Sequence, residues 1–97
     1  MTTETQTQAR PRFALGRVVA TPAAMSAAGS RGIAACLIRH AFGDWGQVDA
    51  EDKRTNEEGL REGTRLLSSY HLPDGVVLWI ITEADRSVTT ALLPDDY

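Results

Sequence analysis

The sequence predicts an α+β domain of order β-α-α-α-β-β-β, an antiparallel meander sheet with helices packed on one face. Three observations predict it. Helix-type spacing and capping residues are confined to residues 21–63, a run of β-branched and aromatic residues fills 76–82, and tight-turn residues flank that run. A chain of 97 residues holds one such domain.

Residues 1–11 are rich in Thr and Gln, carry no hydrophobic anchor, and read as a disordered tail ahead of a single domain over 12–97. A short first strand is expected over 13–19, with Phe13 and Leu15 on one face and Gly16 marking a bulge. Thr21 then offers an N-cap, Pro22 stands where its missing N–H costs nothing, and Gly29 ends a short helix. A second helix runs from a Ser30 cap through Phe42. Ile33, Cys36 and Leu37, extended by His40, fall at the spacing of a buried stripe, and Gly43 closes it.

Asp44-Trp45-Gly46-Gln47-Val48 is a connector. Asp49 starts a third helix with Glu51 and Asp52 in its first turn, where the helix dipole favours acids. This helix is polar nearly all round and is expected to end near Gly59, with 60–63 a loop or frayed turn. The rest reads as β. Residues 65–72 and 87–93 flank a central strand at 76–82, whose continuous apolar run predicts cover on both faces and a core position for Trp79. Pro73-Asp74-Gly75 and Ala84-Asp85-Arg86 make the turns, Pro94 stops the last strand, and 95–97 form an acidic tail.

The net charge of −3 is unevenly spread. Residues 1–43 carry five arginines against one acid (+4), while 44–97 carry five basic residues against twelve acids (−7). Nine of the ten basic residues are arginine, whose forked donors suit carboxylate or phosphate. The net acidity argues against general DNA binding, which needs positive charge to displace counterions. The N-terminus has no secretory apolar run, the longest apolar stretch is too short to cross a bilayer, and one cysteine forms no intrachain bridge. The expectation is a soluble cytoplasmic protein with no membrane association.

No catalytic set, metal site or cofactor loop is expected. Cys36 sits within the helical stripe and reads as a buried small apolar group. His40 and His71 are far apart, with no HExxH or CxxC pattern, and no glycine motif cradles a phosphate. The binding candidates are Trp45, the acids Asp49, Glu51, Asp52, Glu57 and Glu58 of the third helix, and Glu83, Asp85 and Arg86 at a turn. Trp45 either seals the helix ends or stands out as an interface anchor. At the turn, a charged recognition loop competes with a structural reading in which Asp85 accepts turn N–H groups and Arg86 pairs with Glu83. An alternative from another class is a small nuclease or toxin enzyme, with Glu83 or Asp85 as base, His40 or His71 as acid and Arg86 on the phosphate. An oligomeric structural protein is a third.

The order of the pieces resembles a known family. The segments are 15–22 (LGRVVATP), His40, Gly43-Asp44-Trp45-Gly46, the acidic 49–52, Leu72-Pro73-Asp74-Gly75 and 81–87 (ITEADRS). Together they are similar to short bacterial plasmid-related proteins, often labelled small type I restriction subunit proteins. The resemblance covers residues 13–97 and implies residence on mobile elements, without a mechanism. The chain has no S-adenosylmethionine or catalytic motif to match the restriction label. The reading that follows is a non-enzymatic protein-binding module. Its partner would be a host protein or nucleoprotein complex, with a CRISPR or restriction complex as the candidate target. Acidic surfaces compete for nucleic-acid grooves by presenting carboxylates to arginines.

Overall fold

The computed structural model describes residues 10–97. Of the tail expected over 1–11, residues 1–9 lie outside the described residues, and Arg10 and Pro11 are exposed. The elements are β1 (Arg17–Ala20), α1 (Pro22–Ala41), α2 (Ala50–Glu62), β2 (Leu66–His71), β3 (Val77–Thr82), β4 (Val88–Leu92) and a closing 3₁₀ turn (Pro94–Asp96). The class is α+β as expected, but the helices number two and the sheet is mixed. Its order is β1-β4-β3-β2, with β2–β3–β4 an antiparallel meander and β1 parallel to β4. The crossover through α1 and α2 brings β2 in parallel to β1, and the two reversals of the meander then return β4 to that same direction beside β1.

The sequence signals for α1 are realised in its dihedrals. The Thr21 side chain accepts from the Ala24 N–H at 3.0 Å, and Gly29 leaves helical space (φ 73°, ψ 167°). The third helix is lost from the count because Gly29 kinks one continuous element without separating two. That backbone region is open essentially to glycine alone. At α2, Asp49 caps the Asp52 N–H at 2.8 Å, but the helix runs past Gly59 and ends at Gly63, which takes the left-handed cap conformation (φ 74°). Gly59 is needed for a different reason. A Cβ there would stand 2.8 Å from Thr64 Oγ1 and 3.0 Å from Leu66 Cδ2, so glycine lets α2 lie close to β2.

Side chains of Leu78, Ile80, Tyr70 and Ala91 point to one face of the sheet and pack with Ala24, Ile33 and Cys36 of α1 to form the core. α2 lies against the outer edge of β2, where Asn56 Nδ2 donates to the Leu67 carbonyl (2.7 Å) and Oδ1 accepts from the Leu67 N–H (3.0 Å). The connector completes that edge. Gln47 N–H donates to the Ser69 carbonyl at 2.6 Å, Ser69 N–H donates to the Trp45 carbonyl at 3.1 Å, and Gln47 Oε1 accepts from the His71 N–H at 3.1 Å. A strand edge that would otherwise template pairing with another chain is closed by two side chains, Asn56 and Gln47, and a short stretch of connector backbone. Phe13 is not in the first strand, which starts four residues later. It stacks on Trp45 (centroids 6.2 Å apart) and meets the His40 ring edge-on (5.2 Å).

Gly46 makes the edge closure possible. Its φ is +75°, and an added Cβ would fall 2.1 Å from the Ser69 carbonyl oxygen, a backbone atom with no room to retreat. Gly29 has the same sign of φ but nothing within 4 Å. Gly29→Ala therefore suffers backbone strain only, about 1–3 kcal/mol. Gly46→Ala suffers strain plus displacement of the connector, and its melting temperature should fall by more than about 10 °C and further than that of Gly29→Ala. Thermal unfolding followed by circular dichroism compares the two.

Candidate functional site

Four buried polar side chains lie under α1. His40 is fully buried, with Nδ1 2.6 Å from Ser68 Oγ and Nε2 2.9 Å from Thr82 Oγ1. Thr82 Oγ1 lies 2.7 Å from Thr89 Oγ1, and the Thr89 hydroxyl donates to the Leu15 carbonyl at 2.7 Å. The last bond orients the rest. Thr89 spends its proton on a carbonyl, so Thr82 donates to Thr89 and accepts from His40 Nε2–H, and Nδ1 accepts from the Ser68 hydroxyl. The imidazole is thus held neutral as the Nε2–H tautomer. Burial, with a smaller push from Arg86, lowers its pKa from 6.5 to about 4.

The arginines and acids around this cluster are also spent on structure. Arg12 forks onto both oxygens of Glu57 (2.9 and 3.0 Å), and Glu57 Oε2 also accepts from Trp45 Nε1–H at 2.9 Å. These donors, the Arg12 guanidinium first, hold the Glu57 carboxyl below the usual carboxylate range. Arg86 donates to the Gly59 carbonyl in the last turns of α2 (2.9 Å) and to the Thr64 carbonyl just past it (2.6 Å), with its own backbone at φ 62°. It does not pair with the Glu83 carboxylate, which lies 3.7 Å from Arg65 Nε. Asp85 accepts from the Ser87 N–H and hydroxyl (3.0 and 2.6 Å), as a turn-forming aspartate does.

The nuclease constellation is therefore not brought together. His40 is sealed in the core with both ring nitrogens bonded, Arg86 is committed to α2, and His71 lies exposed at the far end of β2. Cys36 is buried, and burial pushes its thiol pKa up. Among the described residues, no group of His, Cys, Asp or Glu is placed to hold a metal ion, and no helix is long and apolar enough to cross a membrane.

Of the two readings open for Trp45 the structure shows the sealing one, and Trp79, expected in the core, is only partly buried. Trp45 is 2% exposed and seals the His40 cluster, so it is a core residue and not an interface anchor. Trp79 points to the opposite face of the sheet. Registers Ser69–Trp79–Leu92 and Leu67–Ile81–Thr90 define that face, on which Ser69, Ile81 and Leu92 are buried while Leu67, Trp79 and Thr90 are partly exposed. Trp79 is half-buried, with Tyr97 meeting it edge-on at 5.9 Å. Between this face and α2 lies a cavity of about 300 Å³, floored by Leu67, Trp79 and Ile81 and rimmed by Asp52, Thr55, Asn56, Arg65 and Tyr97. Arg65 Nη1 donates to the Tyr97 hydroxyl at 2.7 Å. Tyr97 thus follows a 3₁₀ turn anchored by Thr21, whose hydroxyl donates to Asp96 at 2.7 Å, where an acidic tail was expected.

Of the candidate acids, Glu51, Asp52 and Glu58 are exposed on α2, Asp49 is its cap and Glu57 is structural. Leu67, Arg65 and Tyr97 were not among the sequence candidates. The signal that points to this face is the two-sided apolar run of β3. The chain matches no protein-family model, no curated protein and no solved structure.

The His40 pKa sets a pH window. The folded value lies below the unfolded one, so the unfolded chain binds the extra proton and stability falls as pH drops from 6.5 towards 4. The loss from this group is about 3 kcal/mol over that window. Urea unfolding from pH 7 to 4 should show that decline in the wild type and a flatter profile in His40→Gln. Imidazole ¹⁵N shifts should report the neutral Nε2–H form down to about pH 4.

Proposed function

We propose that this chain is a protein-binding module of a mobile genetic element that engages a basic surface of a host defence complex. The Trp79 face of its sheet makes the contact. One observation carries the reading: β3 is apolar on both faces, α1 covers one, and on the other Trp79 stays partly exposed at a cavity beside α2. A strand of that composition calls for burial on both sides, and an apolar patch rimmed by charge marks an interaction site. Trp79 stands at the centre of the patch and is the anchor. Asp52 at the cavity rim, with Glu51 and Glu58 on the exposed surface of α2, provides the charge that steers an arginine-lined partner. The acidic balance of residues 44–97 and the resemblance of 13–97 to short mobile-element proteins support the choice of partner.

The test is binding of the purified chain to reconstituted CRISPR effector and type I restriction complexes, each free of target DNA. Trp79→Ala should weaken binding by about 30-fold or more. Because Trp79 is half-buried, its loss should cost the fold only about 1–2 kcal/mol. Glu51→Gln, Asp52→Asn and Glu58→Gln together should slow association and flatten its salt dependence with little change in melting. Glu57 is left in place because it holds Arg12 and Trp45. Full-strength binding by Trp79→Ala would remove the sheet face from the interface. Failure of the wild type to bind either class of complex would remove the defence reading.

A further inference from the structure

The cavity beside Trp79 has a polar rim of one-sided chemistry. Its floor is Leu67, Trp79 and Ile81, which share one face of the sheet. Asp52 and Thr55 of α2 stand at its rim, and a spacing of three residues sets them side by side on the helix. Both offer acceptors. The Thr55 hydroxyl spends its proton on the Glu51 carbonyl at 3.0 Å, which leaves it lone pairs to share. Asp52 gives its backbone N–H to the Asp49 cap, and among the described residues no hydrogen bond or ion pair engages its carboxylate.

The other charged residue of the rim, Arg65, is already engaged. Its Nη1 donates to the Tyr97 hydroxyl at 2.7 Å, its guanidinium lies 5.4 Å from the centre of the Tyr97 ring, and its Nε is 3.7 Å from Glu83. Glu83 offsets the Arg65 charge, while nothing among the described residues offsets that of Asp52. The unbalanced charge at the cavity is negative.

We infer that the cavity receives one arginine side chain of the basic partner. Three features select that occupant. The space of about 300 Å³ is at the small end of ligand sites and suits a single long side chain. The apolar floor takes a methylene stem, and the half-buried Trp79 indole offers a flat ring on which a guanidinium stacks. The adjacent acceptors of Asp52 and Thr55 match the forked N–H groups of that guanidinium. Lysine would supply the charge, but its compact, strongly hydrated head neither stacks nor forks. An anion would find Arg65 engaged and Asp52 repelling it. The inference rests on the reading of the Trp79 face as the interface and adds which partner group enters it.

Titration of the whole chain with the capped peptide acetyl-Gly-Arg-Gly-amide, followed by ¹H–¹⁵N spectra, tests it. The Trp79 indole signal should move and saturate with a dissociation constant of about 1–10 mM, the range of a single side chain. The Trp45 indole, buried and bonded to Glu57 at 2.9 Å, should stay in place. A citrulline peptide keeps the shape without the charge. It and the lysine peptide should each bind about 5-fold more weakly or worse. Asp52→Asn should weaken the arginine peptide by about 5-fold or more, with melting unchanged because the side chain is exposed. A Trp79 signal that does not respond overturns the inference. So do equal affinities for arginine and citrulline, or an Asp52→Asn chain that binds like the wild type. Host complexes that bind through Trp79 while the indole ignores the arginine peptide overturn this inference and leave the functional reading standing. An arginine-selective response in a chain that binds neither class of complex supports the inference and removes only the defence reading.

Discussion

The closure of the outer edge of β2 is the constraint on which most of the molecule depends. Five backbone groups of Leu67, Ser69 and His71 find partners in the Asn56 amide, the Trp45 carbonyl, the Gln47 N–H and the Gln47 side chain. Those partners belong to two segments: α2, which has little apolar surface, and the connector, whose one large apolar side chain is Trp45. The edge therefore positions the segments as much as they protect the edge. Once residues 45–47 are laid along β2, Trp45 must point under α1, and its indole N–H meets Glu57. Glu57 in turn fixes Arg12 and the chain leading to Phe13. A few hydrogen bonds, each contributing about 1 kcal/mol net, thereby decide the position of several aromatic rings.

Beneath α1 the sheet is not purely apolar, and the polar part is fully satisfied. Ser68, His40, Thr82 and Thr89 form a directed chain ending on the Leu15 carbonyl. Any one of these groups left without its partner would cost about 1–3 kcal/mol, so the chain tolerates few alternatives. It ties all three meander strands to α1 and to the segment before β1. An imidazole used in this way is unavailable for chemistry, and the same holds for the Arg86 guanidinium at the end of α2. Side chains that read as a catalytic set in one dimension are joints of the fold in three.

Among the described residues, apolar side chains stay exposed or partly exposed on opposite sides of one sheet. One set, with Ile38 and Phe42, lies on the outer side of α1, and the other lies on the Trp79 face. They differ in kind. The helix set is narrow and carries a cation, Arg31, whereas the sheet face is broad, rimmed by the acids of α2 and partly filled by Tyr97. A domain of this size has too few residues to build a third layer over both.

Local chemistry was legible in the sequence because it acts over three or four residues. The Thr21 and Asp49 caps, a departure from helix geometry at Gly29, and the meander strands and their turns all follow from side chains meeting backbone a few positions away. The burial of Ile33, Cys36 and His40 was legible too, since a 3.6-residue period needs no knowledge of the partner surface. Tertiary structure alone decided what depended on distant segments. Gly59 reads as a helix stop until β2 is seen against it, and Glu57 reads as surface charge until Trp45 and Arg12 arrive. The parallel entry of β1 depends on the path of two helices. The full burial of Trp45 and the partial exposure of Trp79 have the same origin. A strand's sequence fixes that its side chains alternate between faces, but which face receives the helix layer is settled by how the whole chain folds over the sheet.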